Sequence, residues 1–260
     1  MNDMPNLHAI TLLLTRFWYE YRQLWRFQFV RDFADRLIYL LAFGFGMGGA
    51  LAASHGDNYM AFLVPGIAAS TGVFVMTMAM TYGVWERSTS YRLWPAWLAT
   101  PLRLTDIMMA ELIYASLRAM PSVFILLLLA YAFLDAIPSP TGALLSLPIL
   151  FVANLAMGAV ALCFTAHITR PLHFAYVNTL WTTPMFLLGG TFFDMAHAPV
   201  AMQWLSQVFP LTHVIALVRP LMLGNPISPV ELLTSLGILL ALFIGGFTYA
   251  RWRFQQRLFD

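Results

Sequence analysis

The sequence predicts an all-α integral membrane protein with six transmembrane helices, an N-terminal amphipathic interfacial helix ahead of them, and short re-entrant helices between the fifth and sixth crossings. Three observations carry this reading. Of the 260 residues 60% are hydrophobic and 10% charged, whereas about a quarter are charged in a typical soluble domain; mean hydropathy is +0.72. A helix needs about 20 apolar residues to cross a hydrocarbon layer of about 30 Å, so the apolar supply suffices for about six crossings. The arginines, finally, gather in a few short segments between long apolar runs.

Residues 1–36 hold Arg16, Arg22, Arg26, Arg31 and Arg36 and no long apolar core, which fits neither a cleavable signal peptide nor a crossing. Leu7, Ile10, Leu14, Phe17, Trp18, Tyr21, Leu24 and Trp25 recur at three- and four-residue steps, while Arg16, Glu20, Gln23 and Arg26 fall on other faces. That is the pattern of a helix lying along the bilayer surface, with aromatic rings suited to the headgroup zone. The transmembrane domain is expected over 37–250, with a cytoplasmic tail at 251–260. Its first crossing spans 37–53, the polar link Ser54, His55, Gly56, Asp57 and Asn58 follows, and the second crossing spans 61–82. Glu86, Arg87, Arg92, Arg103 and Asp106 then interrupt the apolar run, and Pro95 and Pro101 rule out one continuous helix through 83–106.

The third stretch, 107–133, would be about 40 Å long as a helix, about 10 Å more than the core needs, so its first two turns project into water. The fourth crossing is read at 143–165, a link with His167, Thr169, Arg170 and His173 follows, and the fifth is read at 175–190. From 191 to 229 the chain stays apolar but is broken by Pro199, Pro210, Pro220, Pro226 and Pro229 and dotted with Asp194, His197, His213 and Arg219. Short helices that dip into the membrane fit that mixture. The last crossing is read at 232–250. Twelve of the fourteen arginines fall in segments on one side of this arrangement, which makes that side cytoplasmic, together with both termini.

The inventory of side chains excludes several chemistries. With fourteen arginines and no lysine, the chain has no Walker phosphate loop and no Schiff-base lysine. The single cysteine, Cys163, cannot close an internal disulfide or a thiolate metal cage. Formal net charge is +2, too small to point to nucleic acid. Gly44, Gly46 and Gly49 spell a dinucleotide fingerprint, but inside a crossing they read as helix packing, with Gly44 and Gly48 as a small-xxx-small pair. His167, His173, Asp194 and His197 lack metal-ligand spacing, and no catalytic set stands out, so no metal and no catalytic residue are expected.

Arg118 is the one charge expected within the bilayer, with Glu111 two turns earlier on the same face; it either snorkels to the surface or faces a polar pathway. The segment 82–106 combines charges with Trp85, Trp94 and Trp97. It is either a solvated connector or a shaped surface for another protein.

Several stretches taken together resemble the transmembrane subunits of ABC type-2 exporters, and most closely the permeases of nodulation lipo-chitooligosaccharide exporters. They are DFADRLIYLLAFGFGMG from Asp32, YMAFLVPGI from Tyr59, WPAWLATPLRLTDIMMAE from Trp94, TPMFLLGGTFF from Thr183, and FPLTHVIALVRPLMLGNPI from Phe209, the last being the most specific. The resemblance implies a permease of the bacterial cytoplasmic membrane that is no enzyme by itself. A separate ABC ATPase would bind ATP and Mg, two permease copies would pair as a homodimer among membrane lipids, and no cofactor would sit on this chain. By matching position it places the ATPase contact at Glu86, Arg87, Arg92, Trp94, Leu98, Pro101 and Asp106, helped by the first helix. Relatives often carry an acidic residue just after the position of Trp94, where this chain has Pro95. The expected cargo is an amphiphilic glycan or lipid-linked oligosaccharide, with a drug exporter as a rival and a membrane-embedded lipid-modifying enzyme as a second. Asn178, Trp181, Thr182 and Met185 are read as one wall of the substrate pathway, with Tyr114 and Arg118 opposite.

Overall fold

The computed structural model of the chain describes residues 6–46 and 59–259, and every regular element among them is helical. The end of the expected first crossing, its link at 54–58, and Gly48 and Gly49 lie outside the described residues.

Helix α1, Leu7–Gly46, runs unbroken through the arginine-rich segment into the expected first crossing. Its apolar residues are divided between two sides. Ala9, Ile10, Leu13 and Phe17 recur at helical steps and are buried, mostly against the third expected crossing, whereas Leu7, Leu12, Trp18, Tyr19, Leu24, Trp25 and Phe27 are exposed. The single stripe expected from periodicity is thus split, because protein covers one part of it and leaves the other outward.

Helix α2, Tyr59–Ser90, is the most enclosed of the long helices, with 83% of its apolar window buried. It carries Pro65 and two π-helical turns, Ala79–Gly83 and Glu86–Ser90, and so continues as helix about two turns beyond the expected end of the second crossing. Gly72 faces Asn154, and a methyl group there would run into the Asn154 amide; small residues at such contacts let membrane helices approach closely. Arg92, in the left-handed region at φ 53°, ends this run and starts the short helix α3, Leu93–Leu98.

Helix α4, Leu104–Leu134, begins at a capping box between Arg103 and Asp106 and ends at the left-handed Asp135. Helix α5, Pro140–His167, starts with Ser139 Oγ accepting the Gly142 N–H at 3.1 Å. A short 3₁₀ turn, Pro171–His173, leads into α6, residues 174–188, which has a π-helical turn at Asn178–Thr182. Helices α7, Val200–Val208, and α8, Pro210–Leu223, meet at 94°. Gly224 closes α8 at φ 76°, where its hydrogen-bonded turn needs a residue without a Cβ. Helix α9, Pro229–Phe259, lies along α5, with Gly246 close to the Ala159 backbone.

Four of these helices, α2, α4, α5 and α9, are long and apolar enough to cross a membrane, and α7 with α8 makes a fifth if the bent pair is one span. The six expected crossings are therefore not all present as such helices among the described residues. One reason is geometric: α6 would be about 22 Å long as a helix, short of the core thickness. The proline-broken region does form two short helices with a sharp bend, at Phe209–Pro210.

Candidate functional site

At the arginine-rich end of the bundle, α1, α2, α3, α4 and α9 meet around one carboxylate. Glu111 is fully buried, and its two oxygens accept from Arg87 Nε and Nη2, both at 2.6 Å. The fork geometry makes this a bidentate ion pair, the strongest form such a contact takes. Trp94, also fully buried, donates its indole N–H to the same carboxylate at 3.4 Å. Phe17 of α1 lies under the guanidinium, 5.6 Å from its ring centre, and stacks on Tyr114 at 4.9 Å. The Trp94 ring packs against Phe254 of α9 at 5.0 Å. The polar connector is thus fixed to the helices by its own charges.

Two further ties hold this end. Asp106 accepts the Asn6 N–H at 2.7 Å and the Arg103 N–H at 3.1 Å, joining the start of α1 to the start of α4. Arg257 donates to the carbonyls of Thr165 and Ile168, each at 3.1 Å, and to Thr89 Oγ1 at 3.0 Å. A cation at the last turn of α5 complements the exposed carbonyls there.

The seven connector residues expected at a partner contact divide into two sets. Arg87, Trp94 and Asp106 face inward, as just described. Glu86, Arg92 and Pro101 are exposed and Leu98 is half-buried. The neighbouring Glu86 carboxylate, by its hydrogen-bonding pull on the phenol and by its charge, raises Tyr91 above its ordinary pKa. Beside them, Arg16 lies over Trp97 at 4.6 Å, at the rim of a groove of about 400 Å³ that also takes in Asn6, Leu12, Thr100 and Pro101.

The six residues expected along a substrate pathway are not brought together. Tyr114 and Arg118 line a cavity of about 470 Å³ between α4 and α1. Asn178, Trp181, Thr182 and Met185 belong to α6, whose Trp181 packs on Phe164 of α5 and on Phe209, each at 5.7 Å. Glu111, two turns from Arg118 on the same helix, is paired with Arg87. Helical spacing describes one helix, and Arg87 arrives from another, 24 residues away in sequence.

A second arginine site at the opposite end went unnoticed in the sequence. Arg219 of α8 donates to the Gly190 carbonyl at 2.6 Å and the Phe62 carbonyl at 3.2 Å, and lies 3.7 Å from the centre of the Phe62 ring. Gly190, at φ 83°, turns its carbonyl toward the guanidinium. Its only sequence signal was a lone arginine in an apolar, proline-broken stretch. Among the described residues no group of three or more His, Cys, Asp or Glu could hold a metal ion.

Compared with known proteins, residues 9–223 match the sequence model of the ABC-2 type transporter family. Nodulation protein J of Rhizobium meliloti (strain 1021) is 31% identical over 207 residues, which is 77% of this chain and 76% of that protein. Nodulation protein J of Rhizobium leguminosarum bv. trifolii is 32% identical over 203 residues, 76% of this chain and 74% of that one. The inner membrane transport permease YadH of Escherichia coli (strain K12) is 23% identical over 259 residues, 96% and 97% of the two chains.

Proposed function

Because the chain belongs to the ABC-2 type transporter family, a family of multi-pass membrane transport subunits, we propose that it is the permease of an ATP-driven exporter. In this reading it carries an amphiphilic glycan or lipid-linked oligosaccharide out across the bacterial cytoplasmic membrane. Both termini and the connector at 83–106 face the cytoplasm, where twelve of the fourteen arginines gather. With no lysine in the chain, a separate ATPase subunit binds the nucleotide and its Mg, and two permease copies pair around the route.

The observation that carries this reading is the two-sided build of the connector. Its buried face, Arg87 and Trp94 on Glu111, grips the core of α4, while Glu86, Arg92, Leu98 and Pro101 lie at or near the surface. A partner that holds the outer set moves the inner set with it, and through Glu111 the helix α4. ATP then biases the permease between two arrangements because the ATPase binds them unequally. Asp106 holds the start of α4 in register with α1. Asn178, Trp181, Thr182 and Met185 on α6, and Tyr114 and Arg118 on α4, are assigned to two separate stretches of the pathway.

Co-purification of the full chain with a candidate ABC ATPase subunit from the same cells tests the assignment. Replacing Glu86 and Arg92 together by Ala removes two exposed charges without touching the Arg87–Glu111 pair. ATP turnover in the complex should then fall by about tenfold, the effect expected of one or two lost charge-assisted contacts. Unchanged association and turnover would remove these residues from the interface. An ATPase that never associates with the chain would defeat the exporter reading itself.

A further inference from the structure

The cavity between α1 and α4 has a composition of its own. Its walls are Thr11, Leu14, Thr15, Trp18 and Tyr21 from α1 and Tyr114, Leu117, Arg118 and Pro121 from α4, and it encloses about 470 Å³. That is within the range of about 300–1,000 Å³ typical of small-molecule sites. Thr11, Thr15, Tyr21, Tyr114 and Arg118 supply its polar groups, and Leu14, Trp18, Leu117 and Pro121 its apolar ones. Thr11, Thr15, Trp18 and Leu117 are exposed, so the cavity opens onto the outer surface of the molecule.

Depth in the membrane follows from α4. The exposed Asp135 marks its far boundary, and about 20 residues back from Leu134, the length needed to cross the core, the helix reaches Tyr114. Arg118 therefore lies about one turn inside the boundary on the arginine-rich side, where its long side chain reaches the level of lipid phosphates. Trp18 and Tyr21, stacked at 5.8 Å, are amphipathic rings suited to the same level.

We propose that this cavity binds the headgroup of an anionic phospholipid, with phosphatidylglycerol as the fitting chemistry, from the leaflet on the arginine-rich side. The phosphate meets the Arg118 guanidinium and the Tyr114 hydroxyl. Thr11 and Thr15 already donate to the carbonyls of Leu7 and Thr11, each at 2.8 Å, so their oxygens remain as acceptors for the glycerol hydroxyls of the headgroup. An acyl chain follows Leu14, Trp18, Leu117 and Pro121 out to the bilayer. The lipid wedges between the helix that carries the amino terminus and the helix that carries Glu111, and so sets how closely the two approach. This deepens the exporter reading at Tyr114 and Arg118, which that reading places along the pathway, and takes from it the side of the membrane, the inner leaflet.

The test is retention of lipid by the full chain purified in mild detergent, counted by native mass spectrometry after exposure to phosphatidylglycerol or phosphatidylethanolamine. Phosphatidylglycerol should be retained in preference. Arg118→Gln should weaken it by at least about tenfold, the smallest loss expected on removing a charge-assisted hydrogen bond, with Arg118→Lys keeping most of it. Thr15→Trp, on an exposed position of α1, fills the cavity without removing the charge and should weaken retention likewise, so the test survives a poorly folding Arg118 variant. Equal retention of the two lipids, or undiminished phosphatidylglycerol in Arg118→Gln and Thr15→Trp, overturns the site. Displacement by inorganic phosphate would show a free-anion site and overturn it as well. No ATPase enters this measurement, so its failure leaves the exporter reading standing, and failed co-purification leaves the lipid site standing.

Discussion

Each end of the bundle is held through one arginine, but the two arginines are satisfied by different chemistry. At the arginine-rich end Arg87 makes a bidentate ion pair with Glu111, whose carboxylate is fully buried. At the opposite end Arg219 rests on two backbone carbonyls and the Phe62 ring. Carbonyls are neutral and stay in place whichever side chain faces them, whereas a buried carboxylate without its cation is left as an uncompensated charge. The first junction is therefore a pair whose halves depend on each other, suited to passing on a displacement. The second is a brace between α8, the start of α2 and the turn at Gly190.

The largest effect that separates the two junctions should come from breaking the pair on one side. Arg87→Met leaves Glu111 buried and unpaired, for which a loss of about 3–5 kcal/mol is expected. Arg87→Met with Glu111→Leu removes both charges and should recover most of that loss. The midpoint of thermal unfolding of the full chain in detergent, followed by tryptophan fluorescence, reads both variants. A double variant as unstable as the single one would show that the charges are not what holds this end, and the contrast with Arg219 would fail.

Neither junction was legible as a pair in the sequence, although most of the helices were. The apolar runs behind α4, α5 and α9 announce themselves because a bilayer demands long unbroken hydrophobicity, and Pro101 falls in the break between α3 and α4, whereas α2 ends before Arg92 and Pro95 lies within α3. The seven connector residues fall in one segment, and nothing in that segment sorts them into faces, since Arg87 and Trp94 look as polar or amphipathic as Arg92 in one dimension. The turn that directs Arg87 inward is π-helical, and no residue pattern signals it. Glu111 and Arg118 share a helix face, which spacing reveals; Glu111 and Arg87 share a contact only because α2 and α4 are neighbours in space. The expected fifth crossing, 175–190, coincides with α6, residues 174–188, which is shorter than the about 20 residues that cross the core.

A smaller loss should follow at the opposite end. Arg219→Met removes hydrogen bonds to two carbonyls and a cation–π contact, about 1–2 kcal/mol in all for a partly buried group, because the carbonyls left behind are neutral. Unlike the Arg87 variant, it should have no side-chain partner whose removal restores stability: Phe62→Leu in addition should cost more, not less. The same unfolding midpoint in detergent distinguishes the outcomes. A loss matching that of Arg87→Met, or a rescue by Phe62→Leu, would show that the brace works as a mutually dependent pair after all.

The smallest effect concerns Arg257, which belongs to the first junction by position and to the second by chemistry. It too is held by carbonyls, those of Thr165 and Ile168, with Thr89 Oγ1 of the connector as a third acceptor. Water can reach this half-buried site, so Arg257→Gln alone should cost about 0.5–1 kcal/mol. Its value lies in combination. Thr89 sits two residues from Arg87, in the same π-helical turn, so loosening either arginine frees a segment that the other also holds. Arg257→Gln with Arg87→Met should depart from additivity by at least about 0.5 kcal/mol, whereas Arg257→Gln with Arg219→Met, at the far end of the bundle, should add simply. Additivity in both pairs would mean that the connector and α9 are held independently, and that Arg257 is no more than a cap on α5.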